Sequence, residues 1–419
     1  MSGRRLATRL RCALSNILMF RRRIYGCPQP SVMLAMTRLA LRSRMANAWH
    51  CAATAGRVSI VGRRPMIEAH RARHIKQHGT KSMNRQSLLN LITPLAPAVT
   101  RITGGHIRLR GDGMMLSAIA VGEQFSIATS GPSAIVIDTC PDYATLKAAL
   151  SGMTGETITI TTGDGSLTLS GRGRRTVRCL PPDTFPSLDL EPGQPTAIDG
   201  DALREALQFV ARAASDDQSK PMLHGVHING GDVVAIDGTS KLRIIEMRHS
   251  LSQATIPSGA VAALSKLLAG PTTAAIGRRA TFSGDGYTFS TTLINQPFPP
   301  IYRKVIPDGD GSVLVVDAEE AARAVNAVAS FADSKTKRVF LSMAAGDVSL
   351  SCDAAIEPLD VYSWDGGEHK VLFNGALMAD TLTAFGKGKV EIVFKADKES
   401  PLLFRDSAGR KAVVMPMRF

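Results

Sequence analysis

Short runs rich in Val, Ile and Thr alternate with Gly/Asp turns through the chain after Met83, and a few amphipathic helices interrupt them. Such runs, bounded by turn residues, predict β-strands joined as hairpins. The predicted turns are Gly163-Asp164-Gly165, Asn229-Gly230-Gly231, Ser283-Gly284-Asp285-Gly286 and Gly171-Arg172-Gly173. The predicted strands are 106–110, 134–138, 157–161, 166–170, 226–229, 233–236, 242–247, 313–316, 339–343, 348–352, 390–394 and 412–415.

The pattern of elements also repeats weakly along the chain. A polar cap followed by a helix occurs at Asn84, Asp199 and Asp317, at intervals of about 115 residues. A second helix recurs in each unit, over 142–151, 258–268 and 374–385. Three similar domains are one interpretation of this α+β pattern, and a single large α+β domain is the other. We expect the first helix to stop or kink near Thr93, because Pro94 removes a backbone donor.

Two of these helices show separate apolar and polar faces. Arg204 and Arg212 share a polar face of one helix, and Arg323 lies off the apolar stripe of another. Both a solvated surface and a contact with an anionic partner fit such faces. The apolar stripes are Leu203, Leu207 and Val210 in the first case, and Ala321, Val325 and Val328 in the second.

The charge is unevenly distributed. Residues 1–82 contain 15 Arg and 2 Lys against the single acid Glu68. With 17 bases and one acid, their net charge of +16 exceeds the net charge of the whole chain, +14. The rest of the chain is therefore near neutral, and any contact with nucleic acid there has to come from local patches. Three interpretations of the leader stay open: a misassigned start before Met83, a disordered leader with a function of its own, and a targeting segment.

Enzyme signals are poor in this sequence. It has no Walker-type loop, GxSxG or HExxH motif, and its six cysteines form no CxxC pair or zinc-type spacing. We therefore expect no catalytic residues, no metal and no cofactor, although a paired-carboxylate site stays open. The cysteine usage favours a reducing, cytoplasmic compartment, and no apolar stretch reaches the ~20 residues of a membrane span.

Several motifs, in order, resemble the bacterial sliding clamp, the DNA polymerase III beta subunit. They are Ser170-Gly-Arg-Gly-Arg-Arg followed by Leu180-Pro-Pro-Asp-Thr-Phe-Pro-Ser-Leu-Asp189, Met222-Leu-His-Gly-Val-His227, Ala235-Ile-Asp-Gly238, Phe298-Pro-Pro-Ile-Tyr-Arg-Lys-Val-Ile-Pro307 and the terminal Val413-Val-Met-Pro-Met-Arg-Phe419. The resemblance covers roughly 83–419.

The resemblance implies an α+β fold of three clamp-type domains, each with two helices on β-sheets, that forms a ring as a head-to-tail homodimer. The domains would be a leader over 1–82 and clamp domains over 83–190, 191–307 and 308–419. The ring would enclose duplex DNA without sequence preference and tether the catalytic subunit of DNA polymerase III, the clamp loader and other proteins with clamp-binding motifs. It would be a non-catalytic processivity subunit.

Two sets of site residues follow from this resemblance. The bases expected to face DNA phosphates are Arg101, Arg204, Arg212, Lys220, Arg323, Lys337 and Arg338, with Lys335 as a further loop candidate. The expected pocket for partner peptides comprises Leu223, Ile236, Gly238, Lys241, Leu242, Pro299, Lys304, Val305, Val413, Val414, Met415, Pro416, Met417 and Arg418.

The chain departs from the family pattern at this pocket. One extra residue follows Asp237-Gly238, Ile236 replaces the usual Thr, and Lys241 and Lys304 stand where Arg is common, without its planar guanidinium fork. Ile301 is an insertion. These departures predict altered partner preference in a divergent clamp, such as a second copy. The alternative function is a clamp paralogue with a regulatory or inhibitor-resistance role, and an unrelated β-rich enzyme is a third interpretation.

Overall fold

The computed structural model describes residues 81–188, 193–248, 251–344, 346–397 and 399–418. Residues 1–80 of the predicted leader lie outside the described residues. Its last two residues, Lys81 and Ser82, belong to the first strand. The proposed domain boundaries stay a prediction. No helix of the described ranges is long and apolar enough to cross a membrane.

The elements fall into three successive repeats. The first contains β1 Lys81–Asn84, α1 Arg85–Ile92, β2 Arg108–Asp112, β3 Met115–Val121, β4 Phe125–Pro132, β5 Val136–Pro141, α2 Tyr143–Gly152, β6 Thr157–Gly163, β7 Ser166–Ser170 and β8 Arg174–Leu180. The second contains β9 Gln194–Asp199, α3 Gly200–Ala211, β10 Gly225–Asn229, β11 Asp232–Ile236, β12 Lys241–Glu246, β13 Ala254–Pro257, α4 Ser258–Leu264, β14 Pro271–Ile276, β15 Arg279–Gly284, β16 Tyr287–Thr292 and the short α5 Tyr302–Val305. The third contains β17 Ser312–Asp317, α6 Ala318–Phe331, β18 Arg338–Ala344, β19 Asp347–Cys352, β20 Ala355–Pro358, β21 Ser363–Trp364, β22 His369–Asn374, α7 Gly375–Phe385, β23 Lys389–Phe394, β24 Leu402–Arg405 and β25 Arg410–Val414.

Side-chain caps start the first long helix of each repeat. The carboxamide of Asn84 accepts a hydrogen bond from the backbone N–H of Ser87. The carboxylates of Asp199 and Asp317 accept from the backbone N–H groups two and three residues ahead. Each cap satisfies donors that a helix terminus leaves free, and carboxylates also complement the helix dipole. The three predicted helix starts are confirmed.

The predicted stop of the first helix is also confirmed. The α-helical run ends at Ile92, and the chain continues as a 3-10 helix over Thr93–Ala98, with Pro94 in its first turn. Proline fits there because the first N–H groups of a helix have no internal acceptor.

Most predicted strands occur within one or two residues of their expected bounds. The strand expected over 106–110 is shifted to Arg108–Asp112. The adjacent strands Met115–Val121 and Phe125–Pro132 were not predicted from the sequence. Both contain Ala, Ser or Gly at positions where larger β-formers give the usual strand signal.

Each repeat contributes two sets of four strands that pair in the same order in all three repeats, and these sets join into three sheets. The twelve-stranded sheet runs β1-β6-β7-β8-β5-β2-β3-β4-β16-β15-β14-β9, the nine-stranded sheet runs β13-β10-β11-β12-β25-β24-β23-β17-β21, and the last sheet runs β20-β19-β18-β22. In each repeat the two long helices pack against each other, and the apolar core continues through all three repeats.

Neighbouring repeats join by pairing equivalent edge strands. Strand β4 of the first repeat pairs antiparallel with β16 of the second, and β12 of the second pairs antiparallel with β25 of the third. By position in the repeat, β20 corresponds to β4 and β12, while β8 corresponds to β16 and β25. Strand β20 pairs only with β19 among the described strands, and β8 pairs along its length only with β7, touching β5 at its end.

A buried ion pair also joins the second repeat to the third. Arg243 on β12 is fully buried, and its guanidinium donates to the Asp380 carboxylate at 2.5 Å and to the backbone carbonyls of Phe209 and Asp380. Arg212, at the end of α3, contacts the same carboxylate at 3.2 Å. The ion pair therefore links β12 of the second repeat to α7 of the third.

Candidate partner-docking site

A second apolar cluster, separate from the main core, lies where the second and third repeats meet. Its buried members are Leu223, Val234, Leu242, Ile244, Phe298, Tyr302, Val393, Leu403 and Val413, with Met222, Ile236, Ile306 and Val313 partly buried beside them. We call the predicted pocket residues of this cluster, Leu223, Ile236, Leu242 and Val413, the docking groove.

Strand pairing brings these residues together from distant parts of the chain. Ile236 on β11 is the register partner of Leu242 on β12, and Leu242 is the register partner of Val413 on β25. The backbone N–H of Met415 then donates to the carbonyl of Ser240 at 2.9 Å. Residues that follow the last strand thus lie along the edge of the groove.

The loop between β11 and β12 accommodates the extra residue by a turn around Asp237. The Asp237 carboxylate accepts backbone N–H groups from Thr239, Ser240 and Lys241, and it also accepts the Ser240 hydroxyl. Burial disfavours the charged carboxylate, but these hydrogen bonds outweigh it and lower the pKa of Asp237. The insertion is therefore built into an ordered turn.

Gly238 in this turn has no room for a side chain. Its φ of +80° is a conformation that residues with a Cβ rarely adopt, and an added Cβ would lie 2.8 Å from Leu223 Cδ1. We expect Gly238→Ala to lower the free energy of unfolding by about 1–2 kcal/mol and to displace Leu223 from the groove. Chemical denaturation of wild type and variant measures this loss, and equal midpoints and slopes would contradict it.

The other predicted pocket residues, which we call the rim, are more varied than the groove. Lys241 Nζ donates to the Arg212 carbonyl at 2.6 Å, so it is held at the end of α3. Lys304 is exposed, and Arg418 lies 3.8 Å from Glu399. Val414, in contrast, is fully buried in the main core because alternate residues of β25 face opposite sides. The half-buried rim residues are Pro299, Val305, Met415, Pro416 and Met417.

A cavity of about 300 Å³ lies beside Lys241 and Asp237. Leu377 of α7 lines it together with Lys220 and Asp217, so the third repeat contributes a side chain that no motif in the sequence marks. Leu377 lies on the helix that also carries Asp380, whose carboxylate the buried Arg243 binds.

Four of the bases predicted to face DNA form ion pairs with acids of this chain. Arg101 and Arg338 are exposed, while Lys337 has a φ of 50° and its Nζ donates to the Ala329 carbonyl at 3.4 Å. Three of these ion pairs join residues three positions apart: Arg204–Asp201 at 2.7 Å, Lys220–Asp217 at 3.5 Å and Arg323–Glu320 at 3.6 Å. The fourth, Arg212–Asp380 at 3.2 Å, joins the second repeat to the third. The predicted bases on helices α3 and α6, Arg204 and Arg323, are therefore both paired with acids.

His227 is a buried residue near the groove that the sequence left without a role. Its ring stacks on Phe298 with centroids 4.3 Å apart, and its Nδ1 lies 2.9 Å from the Thr255 hydroxyl. Burial lowers the pKa of His227 to about 4, and the nearby Asp232 offsets this only in part.

Stability should therefore depend on pH through His227. Between pH 6.5 and 4 an unfolded chain binds a proton here that the folded chain does not, so this contribution is complete above pH 6.5 and is lost as the pH falls to 4. We expect the stability difference between wild type and His227→Leu to change by roughly 3 kcal/mol between pH 7 and 4. Denaturant unfolding at both pH values measures it, and a constant difference would exclude a buried neutral histidine.

In the described part of the chain, no group of three or more His, Cys, Asp or Glu side chains is placed to hold a metal ion. The groove consists of apolar side chains with polar groups at its rim, which is the composition of a binding surface for an extended or helical peptide.

Comparisons with known proteins agree with this architecture. The family model described as "DNA polymerase III beta subunit, C-terminal domain" matches residues 303–418. The beta sliding clamp of Pseudomonas aeruginosa is 25% identical over 272 residues, covering 60% of this chain and 73% of that protein. The beta sliding clamp of Treponema pallidum is 23% identical over 340 residues, covering 75% of this chain and 91% of that protein.

Solved structures show the same fold. A sliding clamp from Pseudomonas aeruginosa bound to griselimycin has a TM-score of 0.75 at 22% identity and covers 81% of this chain and 99% of that one. The clamp of Bacillus subtilis has a TM-score of 0.73 at 18% identity and covers 82% and 100%.

Three joined repeats of two helices on β-sheets, with an apolar cluster between the second and third, give this chain a clamp-type fold. Residues 303–418 match the family model of the DNA polymerase III beta subunit, and the described chain is similar to the bacterial sliding clamps.

Proposed function

We propose that this protein is a DNA sliding clamp, in which two copies join head to tail into a ring around duplex DNA. The observation that carries the proposal is the repeated joint. Strands β4 and β16 form one joint and β12 and β25 the next, which leaves β20 and β8 as the equivalent edges. Two copies pairing β20 of each with β8 of the other would use both edges and close the ring.

The two edges have complementary charge and exposed apolar residues. The segment that leads into and forms β8 carries Arg172, Arg174, Arg175 and Arg178, all exposed. Beside β20 lie the exposed acids Asp353, Glu357 and Asp360. Ile356 on β20 is 73% exposed, and Phe331 at the end of α6 is 65% exposed. Exposed apolar residues on an open edge strand favour association with another strand.

The helices supply a weak contact surface for DNA. Arg212 and Arg323 are exposed, but each has an acid within 4 Å. Duplex DNA carries one charge per ~1.7 Å, so even scattered bases attract it without reading its sequence. Weak contact suits a ring that slides, because the closed topology retains the DNA.

The docking groove would receive the catalytic subunit of DNA polymerase III, the clamp loader and other proteins with clamp-binding motifs. The half-buried Ile236 and Met415, which lie beside the buried Leu223, Leu242 and Val413, support this, since apolar side chains that a partner covers can contribute most of the affinity. Such a ring would act on DNA in the cytoplasm.

A second candidate function is a clamp paralogue that binds clamp partners or inhibitors without supporting synthesis. The replacements Ile236, Lys241 and Lys304 at the groove favour it, and one similar structure is of a clamp bound to griselimycin. Primer extension with the polymerase and clamp loader of the same cell separates the two. Products lengthened by this protein support the clamp. Peptide binding with no lengthening would support the paralogue.

A further inference from the structure

Residues 298–307, which we call the docking segment, contribute Pro299, Lys304 and Val305 to the predicted rim. Only four of its residues form a helix, and Pro300, Ile301, Arg303 and Lys304 are exposed. So short a helix is unstable by itself. The conformation of the docking segment must therefore be held by contacts outside it.

Asp232 supplies one such contact. Its side chain is 2% exposed at the start of β11, and it accepts the Tyr302 hydroxyl at 2.6 Å. Arg303 donates to it through Nε at 2.8 Å and Nη2 at 2.6 Å. A bidentate, charge-assisted pair fixes geometry more strictly than a single hydrogen bond does. One buried carboxylate thus binds two successive residues of the segment.

His227 supplies the second contact, at the other end of the segment. Its ring is parallel to that of Phe298 within 3°, and Tyr302 meets both rings edge-on at 6.3 and 5.8 Å. His227 is 3% exposed and Phe298 is 4% exposed. Burial favours the neutral form of this ring. Its Nδ1 lies 2.9 Å from the Thr255 hydroxyl, so this buried ring nitrogen has a hydrogen-bond partner.

We propose that Asp232 and His227 are positioning residues for partner docking, which rests on the proposed function of the groove. They fix Phe298 at its start and Tyr302 and Arg303 in its middle, so Pro299, Lys304 and Val305, which lie next to these fixed residues, are held at the rim. Peptide affinity then depends on two side chains buried behind the surface that the peptide contacts.

Binding of a fluorescent polymerase-type clamp-binding peptide tests the proposal. We expect Asp232→Asn and Arg303→Met each to weaken binding at least fivefold, and the double variant to be no weaker than Asp232→Asn. Such non-additivity marks residues that act through one contact. Arg303→Lys, which keeps one charged donor, should give intermediate affinity. Because Arg303 is largely exposed, its variants keep the test valid if Asp232→Asn folds poorly.

Asp406→Asn is the matched control. Asp406 is also a buried carboxylate bound by an arginine, Arg410, at 2.6 Å, but it lies outside the docking segment. It should lose stability and keep wild-type peptide affinity. Wild-type affinity in both Asp232→Asn and Arg303→Met would overturn the proposal, as would equal losses in Asp406→Asn.

Hydrogen exchange of the free proteins separates this proposal from the docking proposal. Amides of residues 298–307 should exchange faster in Asp232→Asn and His227→Leu than in wild type, while those of Asp406→Asn should not. If wild type does not bind the peptide, docking at the groove fails. Faster exchange would then still support Asp232 and His227 as positioning residues, and unchanged exchange would overturn that role.

Discussion

Ile356→Lys should convert the protein from a dimer to single chains of 44.7 kDa. Ile356 is 73% exposed on the open edge of β20, opposite the Arg-rich β8 in the proposed joint. A lysine there adds a like charge and is a side chain that natural edge strands use to prevent pairing. Each ring contains two such joints, so a loss of about 3 kcal/mol at each weakens dimerisation by roughly 10⁴-fold.

Sedimentation or light scattering across protein concentrations measures this change. Met114→Lys is the matched control, because Met114 is 80% exposed but lies in the turn between β2 and β3, away from both proposed edges. It should remain dimeric. A dimeric Ile356→Lys variant with wild-type affinity would show that β20 does not form the joint.

Removing residues 415–419 should abolish peptide binding, with at least a 100-fold loss of affinity, and leave the dimer intact. These residues follow the last strand, and the Met415 and Met417 N–H groups fix their course by donating to Ser240 and Leu372. They supply rim side chains without taking part in β25. Loss of several rim contacts of about 1–3 kcal/mol each accounts for a loss of affinity of at least 100-fold.

A truncation that starts at residue 413 should behave differently. Val413 and Val414 are buried, and they pair with β12 and β24. Their removal should therefore also lower the unfolding midpoint, because it breaks the joint between the second and third repeats. Peptide titration together with thermal unfolding separates the two truncations. Peptide binding that survives removal of 415–419 would contradict the assignment of the groove.

Local signals determined which elements were predictable. Asn84, Asp199 and Asp317 cap helices through hydrogen bonds two or three residues away, so the sequence shows where those helices start. Strands such as β3 and β4 depend instead on pairing across the sheet. Propensity is weak for such strands, since context decides β-structure more than helix.

Sequence motifs indicated candidate residues for the site. They did not indicate the residues that take part only through contacts between distant parts of the chain. The groove residues lie in or beside the motifs, and the structure gathers Leu223, Ile236, Leu242 and Val413 in one apolar cluster. Their role in docking stays a prediction. His227 ends one of the motifs but has no role there that the sequence indicates, Asp232 lies in ordinary strand sequence, and Arg243 alternates with apolar residues as a surface base would. Its partner Asp380 is 137 residues away, and sequence spacing cannot show such a contact.

Retention on DNA of defined topology tests the ring most directly. The protein is loaded onto nicked circular DNA, separated from free protein at a salt concentration that disrupts phosphate contacts, and the DNA is then cut once. The account predicts that the protein stays on the circle and leaves within minutes after the cut, while Ile356→Lys is never retained. Equal retention on circular and cut DNA would mean that the protein binds duplex DNA by surface contact and does not enclose it.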